Sequence, residues 1–161
     1  MKLHRRDSNP KITDLKKLRL FSGLGAKQLS ALAQNLDEVK VDAGERIIRE
    51  GRHNDTFWIV LDGEATLTVG GRVTEKVGPG DIVGLPSMFS GMEATADLVA
   101  VSAVRALVAS HQQFNALVAD HEVEIRFKAA IFDRLRDEVY QLTRRPAEKP
   151  APVKRTVKKP D

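Results

Sequence analysis

The feature that most constrains the fold is a series of short apolar segments between residues 39 and 108, punctuated by glycine and proline. Ala65, Leu67 and Val69 alternate with threonines, which is the two-residue period of a half-buried strand. A β-rich run at 57–61 ends in Asp62-Gly63 and predicts a hairpin there. The remaining segments, at 39–41, 47–48, 73–77, 99–101 and 104–108, are equally short. Many short strands at close spacing predict a barrel or sandwich.

Helical patterns flank this β-rich region on both sides. Leucines at helical spacing predict helices at 13–20 and 26–35, with Thr13 as the N-cap of the first. A short helix is expected at 111–118, with Phe114, Leu117 and Val118 facing inward. The longest periodic segment, at 120–143, predicts a long helix that Asp120 caps.

The long helix carries two apolar stripes. The first comprises Val123, Phe127, Ile131, Leu135, Val139 and Leu142, and the second comprises Ile125, Ala129, Phe132 and Tyr140. One stripe is enough to seat a helix on a barrel. The second therefore indicates a surface for a partner, although a wide helix buried within its own domain is an open alternative.

Several segments are similar, in order and spacing, to the cyclic nucleotide-binding domain of catabolite activator protein and of the regulatory subunits of protein kinase A. They lie at 20–24, 41–51, 57–65 and 77–81 and in the stretch 80–100. The resemblance covers about residues 15–142. It implies a mainly β fold with flanking α-helices, namely a double-stranded β-helix (jelly-roll) barrel followed by a long C-terminal helix. We expect a basic disordered N-terminus at 1–12, the domain at 13–143 and a basic, proline-rich disordered tail at 144–161.

The stretch 80–100, GDIVGLPSMFSGMEATADLVA, resembles the phosphate cassette of this family. The family cassette has a glutamate that accepts from the ribose 2′-hydroxyl and an arginine that grips the cyclic phosphate. Gly84 matches the family glycine, but Leu85 stands in place of the glutamate and Ala94 in place of the arginine. The resemblance thus implies a degenerate ligand pocket, formed by Gly84, Leu85, Pro86, Ser87, Ala94, Thr95 and Ala96.

Loss of these two anchors predicts weak binding of cyclic AMP. Arginine supplies two parallel charge-assisted hydrogen bonds that alanine cannot, and losing one such bond costs about 1.5–3 kcal/mol. No cofactor is expected, and a cyclic nucleotide is only a weak candidate. A sensor that binds a small ligand through backbone groups, Ser87, Ser90 and Thr95 is the open alternative.

The resemblance also implies that the long helix pairs two protomers, as it does in the bacterial regulators. We therefore expect a homodimer through Ile125, Ala129, Phe132 and Tyr140. The bacterial regulators continue into a helix-turn-helix, for which the residues after 142 are too few and too rich in proline. A conventional DNA-binding activator is not expected.

Charge is concentrated at the two ends of the chain. Residues 1–17 carry a net charge of +4 and residues 144–161 a net charge of +5, whereas residues 18–143 carry −5. The basic residues of the tail are Arg144, Arg145, Lys149, Lys154, Arg155, Lys158 and Lys159. Such a tail either binds nucleic acid or another polyanion without sequence preference, or is simply a solubilising end.

Composition excludes several functions. The chain of 161 residues has no cysteine, and so it has neither disulfides nor thiol-held clusters. No apolar run is long enough for a membrane span and no secretory signal is evident, so a cytoplasmic protein is expected. The four histidines lack metal-ligand spacing, and no acid–base pair or serine nucleophile is evident. We expect a non-catalytic regulatory module that acts through an unknown protein partner, with an enzyme as the weakest alternative.

Overall fold

Eight antiparallel strands form two four-stranded sheets in the computed structural model, which describes residues 9–144. Their order is β1-β8-β3-β6 in the first sheet and β2-β7-β4-β5 in the second. The strands are β1 (Asp37–Val41), β2 (Arg46–Ile48), β3 (Thr56–Asp62), β4 (Ala65–Val69), β5 (Arg72–Val77), β6 (Ile82–Val83), β7 (Asp97–Ala100) and β8 (Val104–Ser110). This architecture confirms the predicted roll, although the two sheets do not close into a continuous barrel.

Helices precede, interrupt and follow the strands. They are α1 (Pro10–Lys17), a 3₁₀ turn (Arg19–Phe21), α2 (Ala26–Gln34), α3 (Leu85–Ser90), α4 (His111–Val118) and α5 (His121–Arg144). The predicted helices at 26–35, 111–118 and 120–143 are confirmed to within a residue. Asp120 caps α5 as predicted, because its carboxylate accepts from the backbone N–H groups of Glu122 and Val123.

The first helix begins three residues earlier than predicted. Asn9 is its N-cap and accepts from Lys11 N at 3.0 Å, while Pro10 occupies the first helical position, where its missing N–H costs nothing. Thr13 lies inside the helix, so its prediction as the cap was wrong. The pattern of apolar residues located the helix correctly but not the residue that starts it.

The predicted hairpin at Asp62-Gly63 is also wrong. β3 pairs with β6 and β8, whereas β4 pairs with β5 and β7, so the chain crosses from one sheet to the other at this turn. The turn at Gly70-Gly71 does join two paired strands, since Val69 lies opposite Arg72. An Asp-Gly signal marks a turn but does not specify which sheet the chain enters next.

The first sheet separates two apolar cores. On its outer face Phe57 and Ile59 of β3 pack with the helices, including Leu15, Leu32 and Phe127. On its inner face Val60 packs with the second sheet, in a core that also contains Leu67, Leu98 and Ala100. Because both faces are covered, β3 is a nearly continuous apolar run. We call these the helical core and the roll core.

Helix α5 is seated on the helical core only near its N-terminal end. Val123 and Phe127 are buried there, and Arg126 donates to the carbonyl oxygen of Leu20 at 2.9 Å. Farther along, Arg134 donates to the carbonyl oxygen of Ile82 at 3.2 Å and pairs with Glu75 on β5. These contacts fix the helix against the roll. Residues 1–8 and, apart from the backbone of Arg144, the predicted tail at 144–161 lie outside the described residues. The side chains of Glu138, Gln141 and Leu142 are likewise not described.

Candidate functional site

The segment that resembles the phosphate cassette forms α3 and the loop that leads into β7, where the two cores meet. Gly84 is the N-cap of α3, with φ at 98°. A Cβ on Gly84 would lie 2.6 Å from the carbonyl oxygen of Thr56. Both the backbone angle and this close approach therefore require glycine. The first position of the cassette therefore accepts only glycine.

The two positions that the resemblance assigns to ligand anchors are buried and apolar. Leu85 is 3% exposed and lies in the helical core beside Met88, whereas Ala94 is 8% exposed and lies in the roll core. Ala96 packs partly against the same roll core. Neither anchor position presents a charge or a hydrogen-bonding side chain.

The polar side chains of the cassette differ in whether they already form hydrogen bonds within the chain. The hydroxyl of Ser90 donates to the carbonyl oxygen of Pro86 at 2.7 Å and accepts from Met92 N at 3.1 Å, so it serves α3 itself. Ser87 is 9% exposed, whereas Pro86 and Thr95 are exposed. Of the three side chains in the alternative hypothesis, Ser87 and Thr95 are thus left for a ligand.

The loop at 51–57 lies against both ends of the cassette. Gly51 N donates to the carbonyl oxygen of Ala94 at 2.8 Å, and Ala94 N donates to that of Arg52 at 2.9 Å. With φ of Gly51 at 72°, this is a bulge in which two residues oppose one. It places Arg52 directly across from Ala94. The position of Arg52 opposite Ala94 was not predicted from the sequence, because a pairing between residues 42 positions apart leaves no local pattern.

The carboxylates near the cassette are mostly engaged elsewhere. Asp97 accepts from Glu50 N at 2.7 Å and lies 3.7 Å from the guanidinium of Arg46. The carboxylate of Asp55 lies 2.6 Å from His53 Nε2. Glu93 is exposed beside Ala94. Glu93 would therefore oppose a bound anion more directly than Asp97, since Asp97 already has partners.

The second half of α5 exposes a broad apolar face. Phe132 is 69% exposed, and Leu135 and Val139 of the first predicted stripe are 51% and 58% exposed. The second stripe is exposed throughout its predicted members, which are Ile125, Ala129, Phe132 and Tyr140. Both stripes thus reach solvent beyond Ile131, so the helix is not buried entirely within its own domain.

Charged groups hold the start of α5 and the outer strands in place. Hydrogen bonds from Val123 N and from Gln28 lower the pKa of Asp120, and a hydrogen bond from Gln28 lowers that of Glu122. Arg105 pairs with Asp14 at 3.0 Å and with Glu38 at 2.9 Å, which raises its pKa and ties α1 to the first sheet.

Within residues 9–144, no cluster of three metal-ligating side chains is formed and no helix is long and apolar enough to cross a membrane.

Comparison with known proteins matches the segments that carry the resemblance. A family model described as the cyclic nucleotide-binding domain matches residues 38–121, which include the cassette. A cGMP-dependent protein kinase of Drosophila melanogaster is 28% identical over 122 residues, which are 70% of this chain and 13% of the kinase. The chain therefore spans a small part of that relative.

Two solved structures share the fold. Catabolite activator protein of Thermus thermophilus superposes with a TM-score of 0.69 at 24% identity, over 77% of this chain and 61% of that one. The regulatory subunit of a cAMP-independent protein kinase A from Trypanosoma brucei superposes with a TM-score of 0.63 at 23% identity, over 85% and 46% of the two chains.

Proposed function

The chain belongs to the cyclic nucleotide-binding domain family, and from that premise we propose that it is a non-catalytic regulatory module with a degenerate cassette. One observation carries the proposal. Leu85 and Ala94 occupy the anchor positions and are 3% and 8% exposed, so each is packed into a core rather than turned toward a ligand. A buried leucine cannot accept from a ribose hydroxyl, and alanine cannot pair with a phosphate.

The fold is not restricted to proteins of kinases that depend on cyclic AMP. The trypanosome regulatory subunit that shares it belongs to a kinase described as cAMP-independent. We infer that the present chain acts through protein contacts, and that its cassette is retained mainly as part of the fold. Gly84, Leu85 and Met88 support this inference, since each is needed for packing whether or not a ligand is present.

A calorimetric titration with cyclic AMP and cyclic GMP tests the proposal. We expect dissociation constants no better than about 10–100 μM, because the missing anchors remove several kcal/mol and each 1.4 kcal/mol is tenfold in affinity. Saturable binding below about 1 μM would contradict the degenerate cassette and favour the alternative of a cyclic-nucleotide sensor.

The exposed face of α5 supports a homodimer as the acting form. We propose that Phe132 lies at the centre of a two-fold interface, in which the same patch of each subunit meets its copy. Ile125, Leu135 and Val139 extend the apolar patch along the helix. An exposed apolar patch of this kind on one helix is typical of an interaction surface.

We propose, in addition, that the basic tail binds a polyanion through charge alone. The tail residues from Arg144 to Lys159 have no aromatic side chains for stacking on bases. On duplex nucleic acid, engaging roughly 5–7 phosphates gives a slope of about −4 to −6 in log K against log salt concentration. Deleting residues 144–161 should abolish this binding without changing the melting temperature. Equal binding by the truncated protein would leave the tail as a solubilising end.

A further inference from the structure

We propose that a cavity beside α1 receives Val153 of the chain's own basic tail, with Arg155 next to the carboxylates of Asp62 and Asp81. The inference goes beyond the proposed function, since it concerns a contact within one chain and holds whether or not the tail binds a polyanion. Such a contact is autoinhibitory, because a tail that lies on the roll is less available to any other partner.

The cavity has a volume of about 260 Å³ and lies between the end of α1 and the turn that joins β5 to β6. Its apolar lining comes from Leu18, Leu61 and Pro79, and Gly80 contributes backbone. Pockets that hold whole organic ligands measure about 300–1,000 Å³. The cavity therefore suits a single aliphatic side chain better than a separate small molecule.

The sheet side of the cavity is acidic, because Asp62 and Asp81 each directly follow a residue of its lining and are exposed. Each carboxylate accepts from a nearby backbone N–H, that of Gly63 at 2.9 Å and that of Gly78 at 2.8 Å. Neither forms an ion pair within residues 9–144. The second oxygen of each carboxylate is therefore available to accept from a cation.

The helix side of the cavity carries charges of both signs. Asp14 is paired with Arg105 at 3.0 Å, whereas Lys17 lines the cavity without an ion pair in the described part of the chain. Arg19 is also exposed, just after the helix. Because these two cations repel a basic segment, the cation of an incoming segment is favoured on the acidic sheet side.

The tail offers an aliphatic and a basic side chain on one face. In an extended segment alternate side chains lie on the same side, so Val153 and Arg155 would share a face at a separation of about 7 Å. The charges also match, since residues 144–161 carry a net charge of +5 and residues 18–143 carry −5. An apolar side chain beside an arginine is complementary to an apolar cavity beside two carboxylates.

The tail begins close enough to reach the cavity. Arg134 of α5 donates to the carbonyl oxygen of Ile82, two residues after Gly80, and the helix ends at Arg144, about 15 Å farther along. The nine residues from Arg144 to Val153 can span up to about 30 Å. A tether of this length gives an effective concentration on the order of millimolar, so a weak contact is enough. Its effect on the melting temperature is correspondingly small.

The test is paramagnetic relaxation NMR on the full ¹⁵N-labelled chain. Because the sequence contains no cysteine, Thr156→Cys gives a single attachment site for a nitroxide and leaves the two proposed contact residues unchanged. We expect broadening of the amide signals of Leu61 and Gly80 but not of Gly71, which lies at the opposite end of β5. The broadening should weaken as salt is added.

Substitutions in the same labelled chain identify the contacts. Asp62→Asn and Asp81→Asn keep an oxygen that accepts from the backbone but lose the charge, and each should lower the equilibrium constant for docking about two- to fivefold. Val153→Ser should lower it about tenfold or more, because the apolar side chain is lost. Lys17→Gln should raise it, because it removes a cation that opposes the tail.

Glu93→Gln is the matched control, since it removes the same charge from an exposed position in the loop after α3, and the proposal predicts less than about a twofold effect. A mixture of ¹⁵N-labelled chain without nitroxide and unlabelled chain with nitroxide shows whether the tail comes from another copy. Absence of broadening at Leu61 and Gly80, equal broadening in the mixture, or equal effects of Asp62→Asn and Glu93→Gln would overturn the proposal. Each of these results leaves the proposed function intact, because the calorimetric titration with cyclic nucleotides tests that function separately.

Discussion

Leu85 in the cassette and Phe132 on α5 are both large apolar side chains at positions that the family resemblance assigns to recognition. They differ in exposure, at 3% and 69%. Leu85 is covered by the helical core of its own chain, whereas Phe132 is left largely exposed by the described residues. An apolar side chain that its own chain covers contributes to stability, and one left exposed on a helix is available to a partner. The comparison therefore allows the proposed loss of the ligand site and the proposed partner surface on α5 to be tested separately.

The largest effect should come from comparing Phe127→Ala with Phe132→Ala, two phenylalanines of α5 that are five residues apart. Phe127 is fully buried against Phe21, Phe57 and Phe114. Its truncation should lower the free energy of unfolding by about 3–5 kcal/mol at every protein concentration. Phe132→Ala should cost little in dilute protein and more in concentrated protein, because the proposed dimer would bury the ring. Urea unfolding at two protein concentrations measures both costs, and equal costs would remove the distinction between the two halves of α5.

Next in size is the cassette frame, tested by Gly84→Ala with Gly91→Ala as control. Both glycines have positive φ, but a Cβ on Gly84 meets the Thr56 carbonyl oxygen, whereas nothing lies within 4 Å of one on Gly91. Strain from positive φ costs about 1–2 kcal/mol in either variant. Overpacking should add roughly 1–3 kcal/mol to Gly84→Ala alone. Similar unfolding midpoints for the two variants would argue that the start of α3 is loosely held.

The oligomeric state of the protein tests the role of Phe132 on α5. Phe132→Asp should convert a dimer into monomers while the unfolding of the monomer stays nearly unchanged, because a carboxylate at an exposed position costs the fold little. Light scattering at tens of micromolar measures the mass of both proteins. A monomeric wild-type protein would show that the exposed face has another occupant.

The smallest expected effect is the pH dependence of the α5 cap. The hydrogen bond from Val123 N lowers the pKa of Asp120 in the folded chain, so the charged form stabilises the fold above the ordinary aspartate pKa of about 3.9. This contribution is lost as the pH falls through the lowered pKa. Asp120→Asn keeps a capping side chain but does not titrate. The difference in melting temperature between wild type and Asp120→Asn should therefore be present at pH 7 and shrink in acid, whereas a constant difference would exclude the charge as its cause.

Sequence patterns predicted the strands and helices well because each depends on local periodicity. They failed where the answer depended on distant residues. Asp62-Gly63 marked a turn, but pairing with β8 and β6 decided that β3 does not form a hairpin with β4. The start of α1 was missed because Asn9 and Pro10 lie before the apolar pattern that identified the helix.

The candidate site was predictable only in part. The sequence alone led to the prediction that Leu85 and Ala94 replace the two anchors, whereas the burial of these residues in two different cores depends on the tertiary fold. The position of Arg52 opposite Ala94 could not be predicted from the sequence, since it arises from a bulge. Likewise, the two stripes of α5 were evident, yet only packing determined that the first stripe leaves the core after Ile131.

The most direct test of the degenerate cassette is calorimetry with cyclic AMP on the wild-type chain and on the double variant Leu85→Glu with Ala94→Arg. Restoring both anchors should improve affinity at least about tenfold over a wild-type dissociation constant no better than about 10–100 μM. Circular dichroism must first show that the double variant is folded, because the new carboxylate in place of Leu85 would enter an apolar core. Wild-type binding tighter than about 1 μM would contradict the account, and so would a folded double variant that gains no affinity.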